Sequence, residues 1–297
     1  MADIHDTLVE FDILVGEVVT LSPLIRRITA PNPSAFTGPG TNTYLVGHGD
    51  DVAVIDPGPN EQSHIDAILK ATDGKIRWLI ATHTHEDHSP AAKPLQEATG
   101  AEMIGVPFHE HHEHLDETFV VDEPVQEGDI FKTDSYSLRA ISTPGHVSNH
   151  MSFLLEEEMV LFAGDHIMQG ATVVIVPPHG GTMWDYFESL DKLKGMGINW
   201  LAPAHGHILD EADKVVTELK AHRVSREEKA KQVLREVKKG QIKELAPLVY
   251  PEVQGDLIYG AKVALYAHLQ KLVHEGFATR YSEKHWIMGE EIYEIVE

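Results

Sequence analysis

The sequence predicts an α/β protein with a second, smaller domain at its C-terminal end. Up to about residue 180, short segments rich in β-branched residues and bounded by Gly, Pro and Asp alternate with segments of helical spacing. Near Arg223 the composition changes to a charged helical stretch. The length of 297 residues and the hydrophobic content of 42% suit one large and one small folded domain. We therefore predict domains over residues 1–222 and 223–297.

The elements of the larger domain follow from their local patterns. Short apolar segments, several ending in Asp, Thr or Pro, predict strands over 24–30, 43–46, 52–56, 78–82, 136–142, 151–155 and 159–163. Helical spacing predicts helices over 61–71, 91–99, 184–194 and 211–239, the last of which crosses the domain boundary. Gly74 and Gly100 follow the first two helices and are typical stop signals.

After the boundary, the smaller domain is expected to contain the segment 242–250, a helix over 257–275 and two short strands over 277–281 and 285–288. Helices followed by two strands suggest a winged-helix module. A DNA reader needs a basic face, whereas the presumed recognition helix lacks arginine and mixes both charges, on Asp256, Lys262, His268, Lys271, His274 and Glu275. This favours a packing or dimerisation module, and we expect a homodimer.

Composition limits the classes of partner and of metal ligand. The 24 basic and 47 acidic residues give a formal charge of −23, which disfavours general adhesion to nucleic acid or anionic lipid. A nucleic-acid substrate would need a local positive site, which bound metal ions could supply. The chain has no cysteine, so any metal must be held by His, Asp or Glu. No apolar run approaches the roughly 20 residues that span a bilayer, and the start lacks a signal peptide, so a cytoplasmic location is expected.

The strongest signal is the segment 81–88, Ala-Thr-His-Thr-His-Glu-Asp-His, which follows an apolar strand. Side chains two residues apart on an extended stretch point to the same side, so His83 and His85 can chelate one ion. The following turn sends Asp87 and His88 toward a second ion. Four metal-binding side chains within six residues of a strand end predict a binuclear metal site.

Three further ligand candidates also follow apolar strands. His146 comes after Thr-Pro-Gly, Asp165 after Phe-Ala-Gly, and His205 after Pro-Ala. Strand ends that meet at one edge of a sheet can bring such side chains together. The seven candidate metal ligands are His83, His85, Asp87, His88, His146, Asp165 and His205.

These motifs resemble the His-x-His-x-Asp-His, Pro-Gly-His, Gly-Asp and Ala-His-Gly motifs of the metallo-β-lactamase superfamily, in the family's order. The segments 40–46, Gly-Thr-Asn-Thr-Tyr-Leu-Val, and 54–58, Val-Ile-Asp-Pro-Gly, are similar to that family's opening strands. The resemblance covers most of the chain and implies an αββα sandwich. The Gly-Thr-Asn-Thr-Tyr opening and the winged-helix-like tail are most similar to the β-lactamase-like protein 2 branch, whose characterised animal member is an endoribonuclease.

The resemblance also implies a ligand set and a mechanism. His83, His85 and His146 would hold the first metal, Asp87, His88 and His205 the second, and Asp165 would bridge them. Zinc is the default metal for imidazole and carboxylate ligands, although these ligand types also admit iron or manganese. A hydroxide bridging the two metals is the expected nucleophile. Asp87 has a second expected role as the catalytic group that takes or returns a proton.

Other polar residues near these motifs have weaker assignments. His150 either hydrogen-bonds a ligand or contacts substrate, and Asp56 is expected to support a ligand rather than to be one. The histidine-rich segment 108–114 falls on all sides of a predicted helix, which disfavours specific metal binding. His179, in a Pro/Gly-rich stretch, is expected in a loop beside the active site.

Two hydrolase functions and one non-enzymatic function fit the sequence. A cationic metal pair suits a phosphodiester, including RNA, although the acidic chain counts against it. The same metals could cleave a small molecule such as a lactone, thioester or β-lactam, for which the apolar segment 173–176 could form one wall of a pocket. The third function is a nucleic-acid-binding regulator acting through the smaller domain, which the complete ligand set disfavours.

Overall fold

The structure, a computed structural model, describes residues 13–108, 114–121, 123–170, 172–253, 255, 258–281 and 291–296. The chain forms two compact units. The first contains the chain up to Thr143, Asn149–Val173 and Leu193–Val215. The second contains Pro144–Ser148, Val174–Lys192 and the chain from Val216 onward. The second unit thus includes two internal segments, and the residues 216–222 of its last segment, that lie within the predicted larger domain.

The first unit contains two sheets. One sheet has six strands in the order β1-β2-β3-β4-β5-β6. These are β1 (Val18–Thr20), β2 (Ile25–Thr29), β3 (Asn42–Val46), β4 (Ala53–Ile55), β5 (Trp78–Ile80) and β6 (Glu102–Ile104). The first four strands pair antiparallel, whereas β4, β5 and β6 pair parallel. The helix α1 (Gln62–Ala71) connects β4 to β5, and α2 (Ala92–Thr99) connects β5 to β6. The carboxyl ends of β4 and β5 therefore lie at one edge.

The other sheet has five strands in the order β11-β10-β9-β8-β7. These are β7 (Ile130–Lys132), β8 (Ser137–Ser142), β9 (Met151–Leu155), β10 (Val160–Gly164) and β11 (Trp200–Pro203). All neighbouring pairs are antiparallel except β10 and β11, which are parallel. The ends of β10 and β11, which precede Asp165 and His205, are thereby placed side by side.

Two apolar clusters explain why the central strands are buried on both faces. One cluster combines residues of both sheets, and its Tyr44 and Phe162 rings lie 5.1 Å apart. The other packs Leu45 and Leu79 against Ile68 of α1 and Leu95 of α2. Strands with two covered faces are apolar at every position, as 78–80 and 160–163 are. The α/β prediction is confirmed.

The second unit is mainly helical. It contains α3 (Met183–Leu193), most of α4 (Ala212–Val237), β12 (Lys239–Gln241), α5 (Ile242–Val249), α6 (Ile258–His274), β13 (Ala278–Tyr281) and β14 (Ile292–Ile295). Its three strands run in the order β12-β14-β13. Leu234, Leu245, Leu265 and Tyr293 pack in its core. A capping box of Gln241 and Glu244 fixes the start of α5.

The structure changes the interpretation of the presumed recognition helix. In α6, His268 is buried, and the buried Lys271 donates to Glu227 at 3.0 Å. The expected strand over 285–288 and Asp256 lie outside the described residues, and the last described strand is β14. The winged-helix assignment and the domain boundary at 222/223 stay predictions. The cations of α6 do not form one exposed face, which further disfavours the DNA-reading function.

The strands that sequence analysis did not predict are short. β1, β6, β7 and β12 have three residues each and β14 has four, too few for a period of two to stand out. Among the described residues, no helix combines the length and apolarity that a membrane crossing requires. The expected cytoplasmic location and homodimer stay predictions.

Candidate metal centre

The ligand loop starts where β5 ends and is fixed by the neighbouring strand. Asp56 follows β4 with a φ of 48°, and its Oδ1 accepts hydrogen bonds from the Thr82 backbone N–H at 2.8 Å and the Thr82 hydroxyl at 3.0 Å. The Asp56 N–H donates to the Ile80 carbonyl at 2.8 Å. These bonds tie two parallel strand ends together, so the loop from Thr82 onward leaves the sheet in one direction.

His83 and His85 form the first predicted pair. His83 Nε2 lies 2.9 Å from His85 Nδ1, and the ring centroids are 4.6 Å apart at an interplanar angle of 80°. His83 Nδ1 lies 3.2 Å from the Thr82 hydroxyl, which orients the ring. Two imidazole nitrogens so close together can bind one cation, as the two-residue spacing predicts.

Asp87, His88, Asp165 and His205 converge in a second group. Asp87 Oδ2 lies 3.5 Å from His88 Nε2 and 3.4 Å from His205 Nε2. Asp165 Oδ1 lies 3.6 Å and 3.3 Å from the same two nitrogens. The donor atoms of Asp87, His88 and His205, and likewise those of His83, His88 and Asp165, lie within 4.8 Å of one another. Sequence reasoning therefore identified a real cluster, which contains six of the seven candidates.

Asn42 holds the loop that carries His205, a role that sequence reasoning missed. The Asn42 side-chain amide donates to the carbonyls of Pro203 at 3.1 Å and Gly206 at 2.7 Å, and its backbone N–H donates to Ala204 at 2.7 Å. His205 Nδ1 lies 3.3 Å from the Gly40 carbonyl. The sequence feature that could have shown this role is an Asn directly before the predicted strand 43–46. A buried side-chain amide usually hydrogen-bonds backbone groups.

His150 positions Asp165. The Asp165 backbone N–H donates to His150 Nε2 at 3.1 Å, and His150 Nδ1 lies 2.9 Å from the Thr143 hydroxyl. Gly164, with a φ of 51°, permits this approach, since a Cβ there would lie 2.6 Å from His150 Nε2. His150 is fully buried. Of its two expected roles, hydrogen bonding agrees with this geometry.

Comparison with known proteins agrees with this arrangement. A sequence profile described as the metallo-beta-lactamase superfamily matches residues 36–205, more than half of the chain. The chain belongs to the metallo-β-lactamase superfamily. The Beta-lactamase-like protein 2 homolog of Caenorhabditis elegans is 33% identical over 217 residues, which are 72% of this chain and 72% of that protein. The family resemblance is confirmed.

Two further relatives extend the comparison. An atrochrysone carboxyl ACP thioesterase of Cryptosporiopsis sp. is 29% identical over 214 residues, 71% of this chain and 63% of that protein, so the match spans less than two thirds of its length. The crystal structure of a Beta-lactamase domain protein from Burkholderia ambifaria superposes with a TM-score of 0.78 at 20% identity, covering 96% of both chains. At this identity, the superposition shows a shared fold.

His146, the seventh candidate of this metallo-β-lactamase fold, belongs to the second unit. Its Nδ1 hydrogen-bonds the Val174 carbonyl, and its own carbonyl accepts from the Val176 N–H at 2.9 Å. A ring that donates from Nδ1 presents Nε2 as the atom that can bind a metal. Gly145 is required beside it, because a Cβ there would lie 2.6 Å from the Tyr186 Cβ. The ligand role of His146 stays a prediction.

The residues with weaker assignments differ in their surroundings. His179 ends a short 3-10 turn, and its carbonyl accepts from the Ser148 N–H at 3.1 Å. Residues 109–113 lie outside the described residues, and the exposed His114 pairs with Glu86 at 3.3 Å. Asp56 Oδ2 lies 3.2 Å from His88 Nδ1, which agrees with the supporting role expected for it.

The charges of the cluster shift its pKa values. Burial opposes a charge on His88, but Asp87, Asp165 and Asp56 outweigh it and raise the pKa of His88 well above 6.5. Burial also opposes a charge on His205, yet Asp165 and Asp87 raise its pKa. For Asp87, burial favours the neutral acid, but His88 and His205 hold its pKa well below 3.8. The carboxylates thus favour a positive charge at this position.

These features fit the divalent cations that the fold implies. The donor set consists of imidazole nitrogens and carboxylate oxygens, which suit zinc and related metals. A buried environment that attracts positive charge favours protons on the histidines or a cation bound between them. Because a cation must displace those protons, we expect metal affinity to fall at low pH.

Proposed function

We propose that this hydrolase uses two zinc ions to cleave a thioester or a related carbonyl ester. The observation that carries the proposal is the position of Asp87, a partly exposed carboxylate 3.4 Å from His205 and 3.5 Å from His88. A carboxylate beside the cation site can act as a proton carrier for hydrolysis. The family supports hydrolysis, and relatives described as thioesterases support the carbonyl substrate.

The carbonyl substrate also agrees with the charge of the chain better than a phosphodiester does. At a formal charge of −23, a polyanionic substrate would be repelled by most of the surface. A thioester or lactone is neutral at the reacting carbon and needs positive charge only where the carbonyl oxygen becomes negative. None of the relatives described above is named for action on a phosphodiester or RNA, so their names add no support to that expected substrate.

The proposed ligands are those that the family resemblance implies. One ion would be held by His83, His85 and His146, the other by Asp87, His88 and His205, and Asp165 would contact both. When bound, such ions lower the pKa of a water molecule and polarise a carbonyl oxygen. Asp56 and His150 orient ligands and do not contact substrate.

Asp87 would carry the proton during the reaction. It accepts a proton as water attacks the carbonyl carbon and a new C–O bond forms. It then delivers that proton to the departing sulfur or oxygen as the C–S or C–O bond breaks, leaving a carboxylic acid and a thiol or alcohol. His88 and His205 hold the pKa of Asp87 well below 3.8, so the carboxylate carries no proton before water attacks.

The test is turnover of four substrates by metal-quantified protein before and after chelation: a thioester, an aromatic lactone, a β-lactam and bis-p-nitrophenyl phosphate. We expect thioester or lactone hydrolysis that chelation abolishes and zinc restores. Asp87→Asn should lower kcat by about 10²-fold or more. Asp66→Asn, on the exposed face of α1, is the matched control. Chelator-sensitive cleavage of the phosphodiester alone would overturn the proposal.

A further inference from the structure

Residues 114–119, which we call the clamp segment, pair with the ligand loop inside the first unit. The Asp116 backbone N–H donates to the Thr84 carbonyl at 2.8 Å, and the Glu86 N–H donates to the His114 carbonyl at 3.1 Å. The two stretches run antiparallel where they meet. The clamp segment therefore lies directly against the loop that carries the predicted metal ligands.

The clamp segment is anchored in the core. Its Phe119 ring is buried and belongs to the same apolar cluster as Ala81 and Leu95. A Cβ on Gly105 would lie 2.9 Å from the Phe119 ring and 3.1 Å from the Ala81 carbonyl, so these groups are tightly packed. Close packing resists displacement, which makes the clamp segment a fixed support for the ligand loop.

Asp116 contacts both ends of one turn of the ligand loop. Its backbone N–H binds the Thr84 carbonyl on one side, and its Oδ2 accepts a hydrogen bond from the Ser89 hydroxyl at 2.7 Å on the other. The turn between these two contacts carries three predicted ligands, His85, Asp87 and His88. A single residue thus connects the start and the end of this turn.

Both partners of the bond between Ser89 and Asp116 are held in place. Ser89 is fully buried, and a buried hydroxyl without a partner is unfavourable. The other carboxylate oxygen of Asp116, Oδ1, accepts from the Thr118 N–H at 2.8 Å and from the Thr118 hydroxyl at 2.6 Å. These bonds fix the plane of the carboxylate, so its bond to Ser89 is made in one geometry.

We propose that Asp116 is a positioning residue, which fixes the turn so that His85 and His88 keep the separation that two ions require. The inference rests on the proposed function for the presence of two ions. Asp116 acts through the Thr84 carbonyl and the Ser89 hydroxyl, not by binding metal. Groups that orient metal ligands from behind contribute about 10- to 100-fold to metal affinity.

Zinc affinity of the full-length chain, measured by competition with a chelator, tests the proposal without catalysis. Asp116→Ala should lower the affinity by about tenfold or more. Asp116→Asn, whose amide can donate to the Ser89 oxygen, should stay within about threefold of the natural chain. Glu117→Ala removes the carboxylate of the next, exposed residue and is the matched control, with an expected change within about twofold.

A double-mutant cycle tests whether the two side chains act together. Ser89→Ala removes the same hydrogen bond from the other side and deletes one oxygen atom. The affinity losses of Ser89→Ala and of the double variant with Asp116→Ala should match that of Asp116→Ala, because all three lack the same bond. Additive losses would overturn the proposed contact. Ser89→Ala also provides the test if Asp116→Ala does not fold.

The visible spectrum of the cobalt(II)-loaded chain separates positioning from a purely structural role, since it reports the geometry of the metal ligands. The spectrum should change in Asp116→Ala and stay unchanged in Glu117→Ala. A variant Asp116→Ala that unfolds at lower urea concentration but keeps the natural spectrum and zinc affinity would overturn the positioning role.

The outcomes also separate this proposal from the proposed function. Thioester hydrolysis by the natural chain, with zinc affinity unchanged in Asp116→Ala and Ser89→Ala, would overturn the positioning role alone. The expected losses of affinity in a protein whose natural chain hydrolyses no thioester or ester would overturn the proposed function and keep the positioning role. A natural chain that binds no zinc would overturn both.

Discussion

His88 in the first unit and His146 in the second are held by different kinds of acceptor. His88 lies 3.2 Å from Asp56 and within 3.6 Å of Asp87 and Asp165. His146 instead bonds the backbone carbonyl of Val174. A carboxylate both orients an imidazole and raises its pKa, whereas a carbonyl mainly orients it. The orientation and pKa of His88 are therefore set by neighbouring charges, whereas the orientation of His146 is set by the conformation of the loop that contains Val174.

The largest effect on metal binding and activity is expected at Asp165, whose carboxylate faces both His88 and His205. Asp165→Asn removes a carboxylate charge 3.3 Å from His205 and 3.6 Å from His88. Binding of two metals should be lost and kcat/KM should fall by about 10³-fold or more, with little change in folding. Metal content by mass spectrometry and circular dichroism measure the two parts. Two tightly bound metals in this variant would contradict the role of Asp165.

A smaller effect is expected from the support behind His88. Asp56→Asn keeps the side-chain shape and tolerates the positive φ of 48°, but it removes the charge beside His88 Nδ1. Metal affinity should fall by about 10- to 100-fold in competition with a chelator. An unchanged affinity would mean that orientation alone suffices for His88, as we predict for His146.

A substitution at Gly181 tests whether metal binding by His146 depends on the loop around it. Gly181→Ala places a Cβ 2.2 Å from the His146 carbonyl and 2.8 Å from the Gly145 carbonyl. We expect destabilisation of about 1–3 kcal/mol and a metal content that falls from two toward one. The cation at Asp87, His88 and His205 should remain, because its ligands do not depend on this loop. Loss of both metals from folded protein would show that the supports are not separable.

The smallest effect is expected on the unfolding free energy of the metal-free chain, to which His64 contributes a pH dependence opposite in sign to that of His88 and His205. Burial lowers the pKa of His64 to about 4 from 6.5, so protons prefer the unfolded chain and the unfolding free energy decreases as pH falls from 6.5 to 4. The raised pKa values of His88 and His205 stabilise the fold below pH 6.5, and this contribution is lost as pH rises through them.

Urea unfolding of chelated protein across pH 4 to 8 measures both contributions. His64→Gln should flatten the decrease below pH 6.5 and leave the decrease at higher pH unchanged. A variant with the same slope as the natural chain would assign the acid sensitivity to other groups.

The contrast between side-chain partners and backbone partners also explains what the sequence alone could predict. The longer strands were predicted because they are apolar, β-branched runs bounded by turn residues, and the helices because burial on one face imposes a period on them. Segment 83–88 was predicted as a metal site because four ligands lie within six residues. The role of Val174 was not predictable, since any residue can offer a backbone carbonyl. Nor does the local sequence show that segments 144–148 and 174–192 join the second unit, because only long-range packing decides that.

The strand order of the second unit has a consequence for biosynthesis. Its sheet has β14 in the centre, between β12 and β13, and β14 follows every other described element along the chain. On a ribosome, the first unit can begin to assemble while this sheet still lacks its middle strand. The segment with the predicted ligand His146 belongs to the later unit, so the proposed activity should appear in full only after residues 292–295 have emerged.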